Sequence, residues 1–291
     1  MFMMQKYRGE WLLLLATLTA AFGWLFSKNA IVELPAVAFI ALRFSFATLL
    51  FLPFALPQLK SLNRQQWRYA VFVGLSFCLY LFFWVMGVKY TTELGKGAFL
   101  LSLAMLAAPL IAWGLYRQRP IRRFWFALPS AIIGMYLLAN NGTEQSGFQL
   151  DTLFFLFTAF WAAVQFVLNS RYAQHLPVLA LTTIQLSMVA ISASIYSALF
   201  ETFPTQISSP TWLWLTLSVL IGTNARFLLQ TWGQKLSDLG NGALIMILEP
   251  VWTLLLSTLF MAENLSTTKI MGSTFVLSAL LIYRLNVMRQ K

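Results

Sequence analysis

Charged side chains stand well inside long apolar runs of this 291-residue chain at Arg43, Arg226 and Glu249. On insertion scales a charge at the centre of a hydrocarbon layer costs about 2.5–3.5 kcal/mol, so each needs a partner or a task. Glu249 stands about nine residues into its apolar run and is followed at once by Pro250. Proline has no backbone N–H to donate, so a helix bends there and a carbonyl is freed for water or solute. A carboxylate beside such a kink suits a cation or proton site. It equally suits a hydrogen-bonded structural acid. Arg226 continues into Gln230 and Gln234 and is preceded by Thr223, at spacings of three and four that share one helical face. That stripe could line a polar cavity in which the guanidinium holds a carboxylate through two parallel bonds. The competing role for Arg226 is pairing with Glu249 or reaching the headgroups. Arg43 lies about a third of the way into its run.

A second polar stripe comprises Trp161, Gln165, Asn169 and Tyr172, with Gln185 and Trp24 on neighbouring runs able to face it. An aromatic wall carrying amide donors fits a neutral, zwitterionic or aromatic metabolite. Packing and interfacial anchoring are the ordinary uses of such aromatics. Lys28 and Lys96, near run ends, are expected to snorkel outward. The single histidine, His175, has no ligand-type neighbours at metal-binding spacing, so no metal is expected. Neither a Walker lysine motif nor a dinucleotide fingerprint nor a nucleophile elbow occurs, so no cofactor is expected.

The elements that must hold these residues are read from composition. Hydrophobic residues make up 59% of the chain and charged residues 10%, too little polar surface to coat a water-exposed globule. The lone Cys78 cannot form an internal disulfide. These figures exclude a cytosolic enzyme, a disordered chain and a secreted disulfide scaffold. Spanning a bilayer takes about 20 mostly apolar residues. Ten such runs occur, at about 11–30, 36–57, 68–88, 97–116, 123–140, 152–170, 178–200, 211–234, 241–262 and 270–288. The fifth contains Pro129 and the tenth Arg284. With the N-terminus inside, 14 of the 20 Lys and Arg residues fall in cytoplasmic segments. That bias predicts a multi-pass inner-membrane protein with both termini cytoplasmic. The net charge of +11 is therefore a topology signal, and no nucleic-acid partner is expected.

The halves of the chain echo each other. Leu94-Gly95-Lys96-Gly97-Ala98 matches Leu239-Gly240-Asn241-Gly242-Ala243 at an offset of 145, which also sets Gln118 opposite Glu263. Five spans per half is an odd number, so the second half enters the membrane from the opposite side, as in inverted-repeat transporters. Leu42-Arg43-Phe44, Leu248-Glu249-Pro250-Val251 and Ala262-Glu263-Asn264-Leu265 carry a resemblance to drug/metabolite transporters of the EamA-domain type. The resemblance covers about residues 11–288. It implies an all-α membrane protein of ten transmembrane helices, as two inverted five-helix repeats over 11–140 and 150–288. It also makes Arg43 a recurring family arginine, for which locking helices together stands beside substrate binding. In the first half Met105 takes the usual proline position, Pro109 follows one turn later, and Arg117-Gln118-Arg119 replaces the customary Gly-Glu.

The expected function is secondary transport of a small organic solute by alternating access, with proton coupling through Glu249. The resemblance implies export of an amino acid or related metabolite. Two other classes stand behind it. An intramembrane enzyme on a lipid-linked substrate would want clustered acids or histidines, and a membrane scaffold or sensor would want an appended domain. The bilayer and the solute are the expected partners, and the oligomeric state is left open.

Overall fold

The computed structural model of the protein describes residues 7–91, 94–120, 122–139, 150–261 and 266–285. The Ala262–Leu265 motif and the side chains of Lys96 and Arg284 lie outside the described residues. Described structure is helical throughout: α1 (Arg8–Ala30), α2 (Ala36–Lys60), α3 (Arg64–Tyr90), α4 (Leu94–Tyr116), α5 (Arg122–Ala139), α6 (Leu150–Tyr172), α7 (Val178–Phe200), α8 (Ser209–Val219), a π-helical turn (Leu220–Ala225), α9 (Arg226–Leu236), α10 (Leu239–Met246), α11 (Glu249–Met261) and α12 (Thr267–Leu285).

Among the described residues, seven helical rods are long and apolar enough to cross a membrane, counting α8 through α9 and α10 through α11 as one rod each. The remaining apolar stretches, Leu100–Tyr116, Phe124–Gly134 and Ile270–Ala279, are shorter. Helix α5, of 18 residues, extends about 27 Å, close to the thickness of a hydrocarbon core. Large apolar side chains such as Phe54, Phe72, Phe126, Leu199 and Leu259 point outward from the bundle. This is a multi-pass membrane protein, and its outer surface is built for lipid rather than water.

Packing follows the repeat. Helix α2 lies on α7, and α5 on α12. Helix α3 packs against α6, while α8 and α9 pack against α1; α4 packs against α6, while α10 and α11 pack against α1. Exchanging the two halves returns the same set of contacts. Ser130 on α5 donates to the Phe275 carbonyl on α12 at 3.0 Å, two residues separated by 145 in sequence. Neither half could bury its polar stripes alone, because each helix finds its main neighbour in the opposite half.

Local chemistry explains the ends. Asn63 caps α3 through a reciprocal bond pair with Gln66. Glu201 accepts from the free N–H groups of Val37 and Ala38 at the start of α2. Glu33, between α1 and α2, accepts from the Ser208 amide and the Thr211 hydroxyl, which hold its carboxyl below the usual carboxylate range. Lys28 Nζ donates to the Val88 and Thr91 carbonyls at 3.2 and 2.7 Å, closing the end of α3. Arg117 follows α4 with φ of 56°, the left-handed conformation that glycine adopts without strain. Relative to glycine, Arg117 in this conformation carries a steric cost of about 1–2 kcal/mol.

Helices α1 and the π turn approach each other through two glycines. A Cβ placed on Gly222 would lie 2.8 Å from Gly23 Cα and 2.9 Å from Arg43 Nη2, so it has no room. Gly222→Ala is expected to cost about 1–3 kcal/mol through overpacking, read as a lower Tm of the detergent-solubilised protein. An unchanged Tm would mean that the two backbones part freely.

Candidate functional site

Glu249 is buried and opens α11, just after the two residues that separate it from α10. Across that break the Ile247 and Leu248 amides bond three residues back instead of four, at 3.2 and 3.0 Å. Pro250 has no N–H to give the Met246 carbonyl, so the rod cannot run through as one α-helix. The carboxylate thus sits where a helix N-terminus presents its positive end. Two further groups reach it from opposite sides. Trp24 on α1 donates Nε1–H to Oε1 at 2.8 Å, and Arg226, the first residue of α9, donates Nη2–H to Oε2 at 3.2 Å. Both members of the ion pair are more than nine-tenths buried. Arg226 Nη2 also lies 3.4 Å from the hydroxyl of Tyr80 on α3.

Tyr80, Arg226 and Glu249 line a small cavity together with Gln230, Gln165, Ser102, Met105 and Met246. Its volume is about 20 Å³, enough for one water molecule. Two buried polar atoms at this cavity have no hydrogen-bond partner among the described residues: Arg226 Nε, a donor, and Gln230 Oε1, an acceptor. Such atoms are costly unless something else satisfies them. Both belong to residues that line the cavity, which leaves one unused donor and one unused acceptor on its lining side chains.

Beneath the cavity lies an amide relay. Gln165 Nε2 donates to Gln185 Oε1 at 2.8 Å, and Gln185 Nε2 donates to Asn169 Oδ1 at 2.9 Å. Asn169 Nδ2 in turn donates to Gln234 and, at 3.3 Å, to Thr231. The relay ties α6, α7 and α9 together inside the protein, where each amide bond counts for more than in water.

The structure brings Trp24, Tyr80, Gln165, Arg226, Gln230 and Glu249 to one place. Asn169, Gln185 and Gln234 form the relay beside it. Trp161 stands apart: it packs on the core and against the Phe160 ring at 5.4 Å. Tyr172 stacks on Tyr69 at 4.4 Å. Arg43 is buried off the cavity, and each of its three guanidinium nitrogens donates, to Thr223, Ser27 and the Gly222 carbonyl. Thr223 therefore leaves the stripe that regular helical spacing would have it share with Arg226, because the π turn shifts the register between them. Sequence reasoning missed Tyr80. Its signal was a tyrosine hydroxyl deep in an apolar run, where a buried phenol needs a partner.

Known proteins share this architecture. The profile of the EamA-like transporter family matches twice, over residues 7–140 and 150–285. The chain belongs to the EamA-like transporter family. Two Archaeoglobus fulgidus proteins, each named an uncharacterized transporter, are similar to it. One is 28% identical over 263 residues, covering 89% of this chain and 80% of the relative. The other is 24% identical over 275 residues, covering 94% and 95%. A protein crystal structure shares the fold, with a TM-score of 0.78 and 19% identity over 98% of both chains. As a member of this family the protein is a membrane transporter, and the two matched segments are its two repeats.

Proposed function

We propose that the protein is a secondary transporter of a small organic solute that carries a carboxylate, with amino acids and related metabolites as the substrate class. The observation that supports this reading is the buried Arg226–Glu249 pair at a cavity with one unused donor and one unused acceptor. A buried ion pair contributes little net stability, since desolvation offsets its Coulomb attraction. Its value is as an exchangeable contact. A zwitterion can replace each partner in turn, its carboxylate on the Arg226 guanidinium and its ammonium on Glu249 and Gln230 Oε1. The charges then stay compensated throughout.

The cavity is too small for any amino acid, so binding requires the walls to part. In the proposed cycle the ten helices form two inverted five-helix repeats, in the inner membrane with both termini cytoplasmic. Rocking of one repeat against the other opens the site to each side alternately. The closed arrangement is the intermediate between the two open ones. Protonation of Glu249 would release Arg226 to the substrate carboxylate and couple the cycle to the proton gradient. Export follows if the proton enters from outside.

The test is accumulation of a ¹⁴C-labelled mixture of the twenty L-amino acids by inside-out membrane vesicles energised with a proton gradient. Vesicles carrying the protein should accumulate several-fold more label than vesicles lacking it. Equal accumulation in both would reject the amino-acid reading.

A further inference from the structure

The π turn Leu220–Ala225 separates α8 from α9 and ends on Arg226, the residue that meets Glu249. A π turn contains one residue more than an α turn, so the helix beyond it is rotated by about 100° relative to a continuous one. The bonding shows the consequence. The Arg226 amide reaches back five residues to the Ile221 carbonyl, not four to that of Gly222. The Gly222 carbonyl accepts instead from Arg43 Nη2, at 2.7 Å. The Thr223 hydroxyl accepts from Arg43 Nε at 2.5 Å and donates to the Ser218 carbonyl at 2.9 Å, again five residues back. Asn224 donates to the Ala47 carbonyl on α2. Arg43 therefore binds the groups that the widened turn leaves open.

Its remaining bond leads to the other partner of Glu249. Arg43 Nη1 donates to Ser27 Oγ on α1 at 2.8 Å, and the Gly23–Gly222 contact presses α1 onto the turn. Trp24 is the next residue after Gly23. The two side chains that donate to the Glu249 carboxylate thus emerge from the two backbones that one guanidinium joins. Charge-assisted bonds of this kind are about twice as strong as neutral ones, and a planar guanidinium directs several at once.

We propose that Arg43 is a positioning residue: by holding the π turn open against α1, it sets the helical register that turns Arg226 toward Glu249. Arg43 itself does not touch the substrate. Without it the Gly222 carbonyl loses its partner, the turn relaxes toward an α-helix, and position 226 rotates away from the cavity. This goes beyond the transport reading and does not depend on which solute is carried.

The test is cross-linking of the full-length protein with a short bifunctional methanethiosulfonate, in a Cys78→Ser background. One thiol pair is introduced by Arg226→Cys with Glu249→Cys. A control pair is introduced by Ser130→Cys with Ser278→Cys, two residues that hydrogen-bond at 2.9 Å between α5 and α12. Adding Arg43→Gln should slow the 226–249 cross-link at least tenfold and leave the 130–278 cross-link unchanged. Thr223→Val, a milder change that removes one acceptor of Arg43, should slow it about threefold. An unchanged 226–249 rate in both variants would overturn the proposal. Equal losses at both pairs would also overturn it, since Arg43 would then be holding the whole bundle and not this register.

Discussion

Arg226→Ala should abolish amino-acid accumulation by energised vesicles and, separately, destabilise the protein. Removing the guanidinium leaves the Glu249 carboxylate buried, with the Trp24 indole its remaining side-chain donor. Breaking one side of a buried pair typically costs about 3–5 kcal/mol. Loss of transport through instability and loss through a missing substrate contact can be told apart. The double replacement Arg226→Met with Glu249→Leu removes both charges and fills the space with apolar groups. It should recover most of the lost Tm, because no uncompensated charge remains, while transport stays absent. A double variant that regained transport along with stability would show that the pair only supports the fold.

Glu249→Gln should have an equally large effect on a different observable. The amide keeps an oxygen that can accept from Trp24, but it can neither lose a proton nor neutralise Arg226, so a lower Tm accompanies the change. Accumulation driven by the proton gradient should fall to the background of empty vesicles. Exchange of labelled for unlabelled amino acid across the same membrane needs no net proton movement and should persist. If gradient-driven accumulation continued unchanged, Glu249 would not be the coupling group. The pair would then be a permanent structural contact. The two variants test different halves of one proposal, since the first removes the anchor for a carboxylate and the second the exchangeable proton.

The structural basis for both outcomes lies in two backbone irregularities, the π turn that Arg226 follows and the break between α10 and α11 that Glu249 follows. Regular helices satisfy their own backbone groups and leave little for a ligand. Here each of the two rods that carry the charged pair has one irregularity. Irregular backbone is tolerated at such depth when protein covers it, and burial of Thr223, Arg226 and Glu249 provides that cover. The amide relay below and the Trp24–Trp84 edge-to-face contact at 5.2 Å close the surroundings of the pair.

Much of this was legible from residues alone. Apolar runs of sufficient length specify helices in a lipid solvent, because an unpaired backbone there is too costly for any alternative but a closed barrel. Glu249 followed by Pro250 marked both a charge and a break, and the spacing from Arg226 to Gln230 marked a shared face. Those are local properties, carried by residue type and by the helical period.

The chain order could not convey which face of one helix meets which face of another. Arg43 and Thr223 lie 180 positions apart and Trp24 and Glu249 lie 225 apart, and their bonds exist only because the two halves interlock. The π turn is the clearest case. Leu220–Ala225 reads as ordinary helix, and it widens in a structure where α1 presses on Gly222 and Arg43 takes the freed carbonyl. Sequence determined the solvent, the helices and the presence of buried charge. Tertiary packing decided which charges meet and which serve only to aim the others, because the free energy of a buried polar group is set by the partners that surround it.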